Sequence, residues 1–288
     1  MKKILLPIDV PDTALSVVHQ AAFLARHFRG EIILLHVLSP LRYPSGLLER
    51  GHMVTARDLE SDIVARTQRD LEEALRSELE GIAVRRLLLR GDPAREILRT
   101  ARDEQVNLIA LSTHAREPVY RFLLGSVAAK VLHNSEYPVW TTVLSPGIGE
   151  GAFSIRRILC AVDLTEHSRH TVSRAANLAA EFGASLTLVH ITTGIQSYGP
   201  GGSYIKPEWK ATVIGYATEQ MARLQKDVGT KAEVVIDSGD VHKLLKQAAD
   251  HTKSDLLVIG HMPPGGHLGE NASGYSIIRG SHIPVLSL

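Results

Sequence analysis

The chain carries one passage twice. Lys2-Lys3-Ile4-Leu5-Leu6-Pro7-Ile8-Asp9 returns as Arg156-Arg157-Ile158-Leu159-Cys160-Ala161-Val162-Asp163. The run from Gly30 to His36-Val37 returns from Gly183 to His190-Ile191, and Gly91-Asp92 returns as Gly239-Asp240. Asn107-Leu108-Ile109-Ala110-Leu111 returns as Asp255-Leu256-Leu257-Val258-Ile259, and the copies close on Pro138-Val139-Trp140 and Pro284-Val285-Leu286. A duplication requires one fold to serve both copies. It also sets each candidate site residue beside a counterpart. The 288 residues accommodate two domains of ordinary size, expected at 1–144 and 155–288 with a linker over 145–154. Ser145-Pro146-Gly147-Ile148-Gly149-Glu150-Gly151 is rich in chain breakers and poor in packing groups. Its glycines lie between two expected strands and do not open a helix, so they are not a dinucleotide fingerprint.

Within the first copy, short apolar runs alternate with amphipathic stretches. Residues 4–8, 32–37, 84–89, 108–111 and 139–143 read as strands. Asp12 or Thr13 is placed to cap a helix whose apolar side includes Leu15, Val18, Ala22 and Ala25, and Gly30 is placed to end it. The charged stretch 55–80 has apolar residues at helical spacing. Pro93 behind Asp92 marks another helix start, and 125–132 reads as the last helix. The second copy repeats the order, with Thr165 placed as a helix cap and Tyr198-Gly199-Pro200-Gly201-Gly202 in a surface loop. Strands alternating with helices imply an α/β fold, a parallel sheet covered on both faces. The closing strands of the two copies are expected to meet, which makes the chain its own pseudo-dimer and protects sheet edges.

Composition excludes several functions. Lys plus Arg number 32 against 31 Asp plus Glu, which leaves no footprint for nucleic acid or an anionic membrane. No apolar run approaches a membrane span, and the first strand is too short for a signal segment, so a cytoplasmic protein is expected. The single cysteine, Cys160, lies in an expected strand and reads as a core residue. Fourteen histidines invite a metal, yet no compact ligand motif appears, so no metal site is expected. A Walker A pattern and a Gly-x-Ser-x-Gly elbow are both absent, and no catalytic residue is assigned.

Ligands of open parallel sheets bind beyond the carboxyl ends of the strands, where strand order reverses. Strands one and four of each copy should flank that crevice. In the first copy this selects Asp9, Val37 and the loop after Leu111. There, Gly125-Ser126 opens a helix whose free amides suit an anion, and His114, Arg116 and Arg121 add charge. Asp9 is placed to accept from ribose hydroxyls. The alternative is that Gly125-Ser126 only caps a helix and the arginines are solvated.

These residues carry a family resemblance. Lys3-Ile4-Leu5-Leu6-Pro7-Ile8-Asp9, Leu35-His36-Val37, Gly91-Asp92-Pro93, Ser112-Thr113-His114-Ala115-Arg116, Leu123-Leu124-Gly125-Ser126-Val127-Ala128 and Pro138-Val139 together resemble a universal stress protein domain. The resemblance covers nearly all of both copies. It implies the family's five-stranded parallel sheet, a Rossmann-like fold of the adenine nucleotide alpha hydrolase type with strand order 3-2-1-4-5. It also implies that whole chains can dimerise. ATP-binding members place Gly, two residues, Gly, nine residues, then Gly and Ser or Thr after strand four. The matching positions here are Ser112, Ala115, Gly125 and Ser126, with the nine-residue spacing intact. The resemblance therefore implies ATP or ADP in the first copy, held by Pro7, Asp9, Val37, Ser112, His114, Ala115, Arg116, Gly125, Ser126 and Val127. Ala115 adds a Cβ where glycine allowed close approach.

The second copy departs further. Its loop runs Gly260-His261-Met262-Pro263 and on to Glu270-Asn271-Ala272, two residues shorter. Pro263 removes an amide at the second glycine position. Counting back from Pro284 sets Asn271-Ala272 opposite Gly125-Ser126. No nucleotide is expected there, although Asp163 remains. The resemblance thus implies a stress-response regulatory protein that binds an adenine nucleotide through its first copy and is not an enzyme beyond weak ATPase activity. A nucleotide-independent dimerising module and a slow nucleotide hydrolase are the alternatives.

Overall fold

A computed structural model describes the chain except for residues 11–12, 40–52, 113–124, 143–152, 193–196, 200–201, 205–206 and 261–267. The first half contains β1 (Lys3–Pro7), α1 (Leu15–Phe28), β2 (Glu31–Leu38), α2 (Met53–Glu73), β3 (Ala83–Arg90), α3 (Pro93–Asp103), β4 (Leu108–Ser112), α4 (Ser126–Asn134) and β5 (Val139–Thr142). The second contains β6 (Arg157–Ala161), α5 (Ser168–Phe182), β7 (Ser185–Thr192), β8 (Ser197–Gly199), β9 (Gly202–Tyr204), α6 (Pro207–Val228), β10 (Glu233–Ser238), α7 (Val241–Thr252), β11 (Leu256–Ile259), α8 (Leu268–Gly280) and β12 (Val285–Ser287).

Each half forms a five-stranded parallel sheet, ordered β3-β2-β1-β4-β5 and β10-β7-β6-β11-β12. This is the expected 3-2-1-4-5 order, twice. The closing strands meet as expected: β5 and β12 pair antiparallel, with Leu286 opposite Trp140, and join the halves into one ten-stranded sheet. Most of the expected linker lies outside the described residues.

Strand periodicity divides the core in two. Ile4, Leu6, Ile158 and Cys160 face α1 and α5, while Leu5, Leu159, Ile109 and Leu257 face α3, α4 and α7. Both layers run through both halves without a break. Cys160 is a core residue, and burial pushes its thiol up to about 12.

Local chemistry explains the element ends, with several departures from expectation. The capping aspartates behave as read, since Asp92 Oδ1 accepts from the Arg95 amide at 3.0 Å and Asp240 Oδ1 from the Lys243 amide at 2.8 Å. Thr13 does not cap α1. Its hydroxyl donates to the Asp9 carbonyl at 3.1 Å, and Ala14 holds the cap position without a side-chain bond. Arg29, not Gly30, takes the left-handed position after α1, at φ 48°. Gly30 is needed for another reason, because a Cβ there would lie 2.8 Å from the Lys2 carbonyl oxygen. The surface loop of the second half contains an antiparallel pair, β8 with β9, in which Gly199 faces Gly202 across a two-residue connection. Finally, α8 begins at Leu268, so Asn271 and Ala272 lie inside the helix rather than at its start.

Candidate functional site

A crevice of about 460 Å³ opens at the carboxyl ends of β1, β2 and β4, within the range of small-ligand sites. Its lining includes Pro7, Asp9, Val37, Ser112, Gly125, Ser126 and Val127, seven of the expected site residues. His114, Ala115, Arg116 and Arg121 lie outside the described residues.

Three features give the crevice its chemistry. The first is the start of α4. Gly125 sits at the cap with φ −57° and ψ 145° and offers no side-chain acceptor. The first internal bond runs from the Ala129 amide to the Gly125 carbonyl at 2.9 Å, so the amides of Ser126, Val127 and Ala128 lie ahead of the helical ladder. The second is Ser112. Its hydroxyl oxygen is buried and has no hydrogen-bond partner among the described residues, and its residue lines the crevice. A buried hydroxyl without a partner costs roughly 1–3 kcal/mol, which a ligand accepting or donating there would recover. The third is the frame around Asp9. The Ile8 amide donates to the Leu35 carbonyl at 2.8 Å, and buried His36 sets Nδ1 at 3.0 Å from the Ile8 carbonyl oxygen. These contacts tie the turn that carries Asp9 to the end of β2.

His36 was not among the expected site residues, although the repeat marks it. His190 stands at the same place and sets Nδ1 at 2.7 Å from the Val162 carbonyl oxygen. Both histidines position the turn after the first strand of their half.

The two aspartates diverge through their neighbours. Asp163 Oδ1 accepts from the Thr165 amide at 3.0 Å, the Thr165 hydroxyl at 2.8 Å and the Ser168 hydroxyl at 2.6 Å. It organises the entry to α5, so Thr165 acts through Asp163 and not as the helix cap, a position held by His167. Counting the same steps from Asp9 reaches Pro11, which has no amide hydrogen, and Ala14, which has no hydroxyl. Asp9 cannot turn inward in this way.

Burial alone would raise the Asp163 carboxyl, but the Ser168 and Thr165 bonds outweigh it and hold the carboxyl below its ordinary value. A depressed acid contributes stability that is present above its unfolded pKa and lost as pH falls through its folded pKa. Asp163→Asn is expected to cost about 1 kcal/mol at neutral pH, as for a lost cap, and to flatten the acid limb of the stability curve. Urea titrations of both proteins from neutral pH into the acid range check this. Parallel pH profiles would overturn it.

Gly260 follows β11 as Ser112 ends β4. A Cβ on Gly260 would lie 3.2 Å from Thr171 Oγ1, so that position is closely packed. The second-half loop over 261–267 lies outside the described residues. Among the described residues no group of three metal-binding side chains occurs, and no helix is long and apolar enough to cross a membrane.

Fold and crevice together define a duplicated, doubly wound α/β protein with a crevice at the topological switch point of its first half. The family model for the universal stress protein family matches residues 1–142 and again 154–287. The chain belongs to that family, as a tandem of two copies. Universal stress protein MJ0577 of Methanocaldococcus jannaschii is 30% identical over 150 residues, spanning 48% of this chain and 92% of its own. MJ0531 of the same organism is 29% identical over 140 residues, spanning 48% of this chain and 79% of its own. Among solved structures, a universal stress protein of Archaeoglobus fulgidus superposes with a TM-score of 0.66 at 20% identity, covering 99% of this chain and 95% of its own. A functionally unknown protein of Pseudomonas aeruginosa gives 0.67 at 18%, covering 100% and 92%. Both structural matches concern the fold of the whole tandem.

Proposed function

We propose that the protein binds one adenine nucleotide, ATP or ADP, in the crevice of its first half and acts as a cytoplasmic stress-response regulator. The observation that carries this reading is the buried Ser112 hydroxyl, without a hydrogen-bond partner among the described residues, on the same crevice as the start of α4. The Ser126 and Val127 amides would receive phosphate oxygens, and Gly125 lets them be approached. Ser112 would bond a phosphate from the first glycine position of the family motif. Asp9 would accept from ribose hydroxyls, and the Pro7 and Val37 backbone would border the base. His114, Ala115 and Arg116 would close the phosphate side. The unit over 1–144 does the binding, and the unit over 155–288 holds its sheet edge through the β5–β12 seam, with Asp163 committed to its own helix entry. The role is binding rather than turnover.

Calorimetry with ATP and with ADP tests the reading. Saturable heat at one nucleotide per chain is expected. No heat at millimolar nucleotide would overturn it, and two nucleotides per chain would overturn the division between the halves.

A further inference from the structure

The opposite edge of the sheet also differs between the two halves. At the amino ends of β1, β2 and β3 the first half is closed by charge. Lys3 Nζ lies 3.6 Å from Glu31 and 3.7 Å from Glu104, and Glu104 also pairs with Arg85. Strand register fixes the matching positions. Lys3 pairs with Glu31 as Arg157 pairs with Ser185, and Ile33 pairs with Arg85 as Thr187 pairs with Glu233. Gln105 and Lys253 take the same left-handed turn, at φ 50° and 52°, which sets Thr252 opposite Glu104. Both carboxylates that close the first half are therefore hydroxyl residues in the second.

What remains is a cleft of about 640 Å³ whose lining includes several alanines together with Arg157, Lys231, His251, Ser185, Thr230 and Glu233. Arg157 is engaged, donating to the Lys253 carbonyl at 2.6 Å. Among the described residues, neither the Lys231 nor the His251 side chain has a hydrogen-bond or ion-pair partner. The carboxyl ends of α5 and α7 point to this edge, where the amides of Ala184 and Ser254 take the carbonyls of Ala179 and Ala249 at 2.8 and 2.9 Å.

We propose that this cleft binds a small phosphorylated sugar or polyol. Lys231 and His251 hold the phosphate, with charge-assisted bonds of the strong kind. Glu233, which would repel a bare anion, accepts from ligand hydroxyls together with Ser185 and Thr230. The alanines of the lining receive the carbon face. This site is separate from the nucleotide crevice and does not depend on it.

The test is calorimetry on the full chain with ribose 5-phosphate, beside ribose and inorganic phosphate. Saturable binding of the sugar phosphate, tighter than either part, is expected. Lys231→Gln should weaken it about tenfold, the effect of one lost charged contact. Ser185→Glu with Thr252→Glu, which restores the carboxylates of the first half, should remove binding while the melting temperature holds. Binding should persist in a Gly125→Asp background. The proposal is overturned by absence of binding at millimolar ligand, by equal affinity for inorganic phosphate, by indifference to Lys231→Gln, or by loss in the Gly125→Asp background.

Discussion

Gly125→Asp is expected to abolish nucleotide binding and to leave the fold at least as stable. The two effects separate because of where Gly125 sits. Its φ of −57° and ψ of 145° are open to any residue, and it occupies the cap of α4 without a side-chain acceptor. Aspartate is among the best residues for that position and exceeds glycine by a few tenths of a kcal/mol. The same carboxylate would then accept the amides that the phosphate needs. It would also set a negative charge against another. Two unit charges 4 Å apart at an effective dielectric of 20 repel by about 4 kcal/mol, close to three orders of magnitude in affinity. A loss of at least about a hundredfold in calorimetry is expected, with an unchanged or raised melting temperature. Binding within threefold of the parent protein would remove the α4 start from the site. A lowered melting temperature would instead contradict the cap geometry.

The fold was open to reading because its signals are local and repeated. Alternation along Ile4-Leu5-Leu6 and Ile158-Leu159-Cys160 sends side chains to two faces, and both faces are buried. Asp92 and Asp240 announce their helices because capping needs only a neighbouring amide. Signals that depend on distant backbone were hidden. Gly30 looked like a helix terminator, yet its constraint comes from the Lys2 backbone just ahead of β1. The extent of α8 could not be counted back from Pro284, because α8 spans 13 residues where α4 spans 9. The site was half legible. Asp9 and Asp163 look equivalent as letters, and the residues two and five positions on decide whether the carboxylate can bond the helix entry as Asp163 does. That distinction was present in Pro11 and Ala14 against Thr165 and Ser168, read as donors rather than as helix formers. The Ser112 hydroxyl, without a partner among the described residues, was not legible at all, since pairing depends on everything packed around it.

Trp140→Ala is expected to cost about 3–5 kcal/mol, within the usual range for an aromatic removed from a core. Trp140 is fully buried and stands opposite Leu286 on the seam between the halves. Its indole donates to Gln20 Oε1 at 2.7 Å, and its ring meets Phe153 edge-on at 6.1 Å. Truncation would leave a void, and the Gln20 carbonyl would lose its indole donor. Domains of this size are stable by only about 5–15 kcal/mol, so the loss is a large share of the total. Both core layers cross the seam, so the halves are expected to unfold in one transition that shifts as a whole. Trp209, the only other tryptophan, is 56% exposed on α6. Trp209→Ala should therefore change stability by no more than about 0.5 kcal/mol. It should also remove the iodide-quenchable fluorescence, leaving the shielded emission of Trp140. Urea unfolding followed by fluorescence and by circular dichroism measures all of this. A cost below about 1 kcal/mol for Trp140→Ala, or separate transitions for the two halves, would show that the seam does not bind them into one unit.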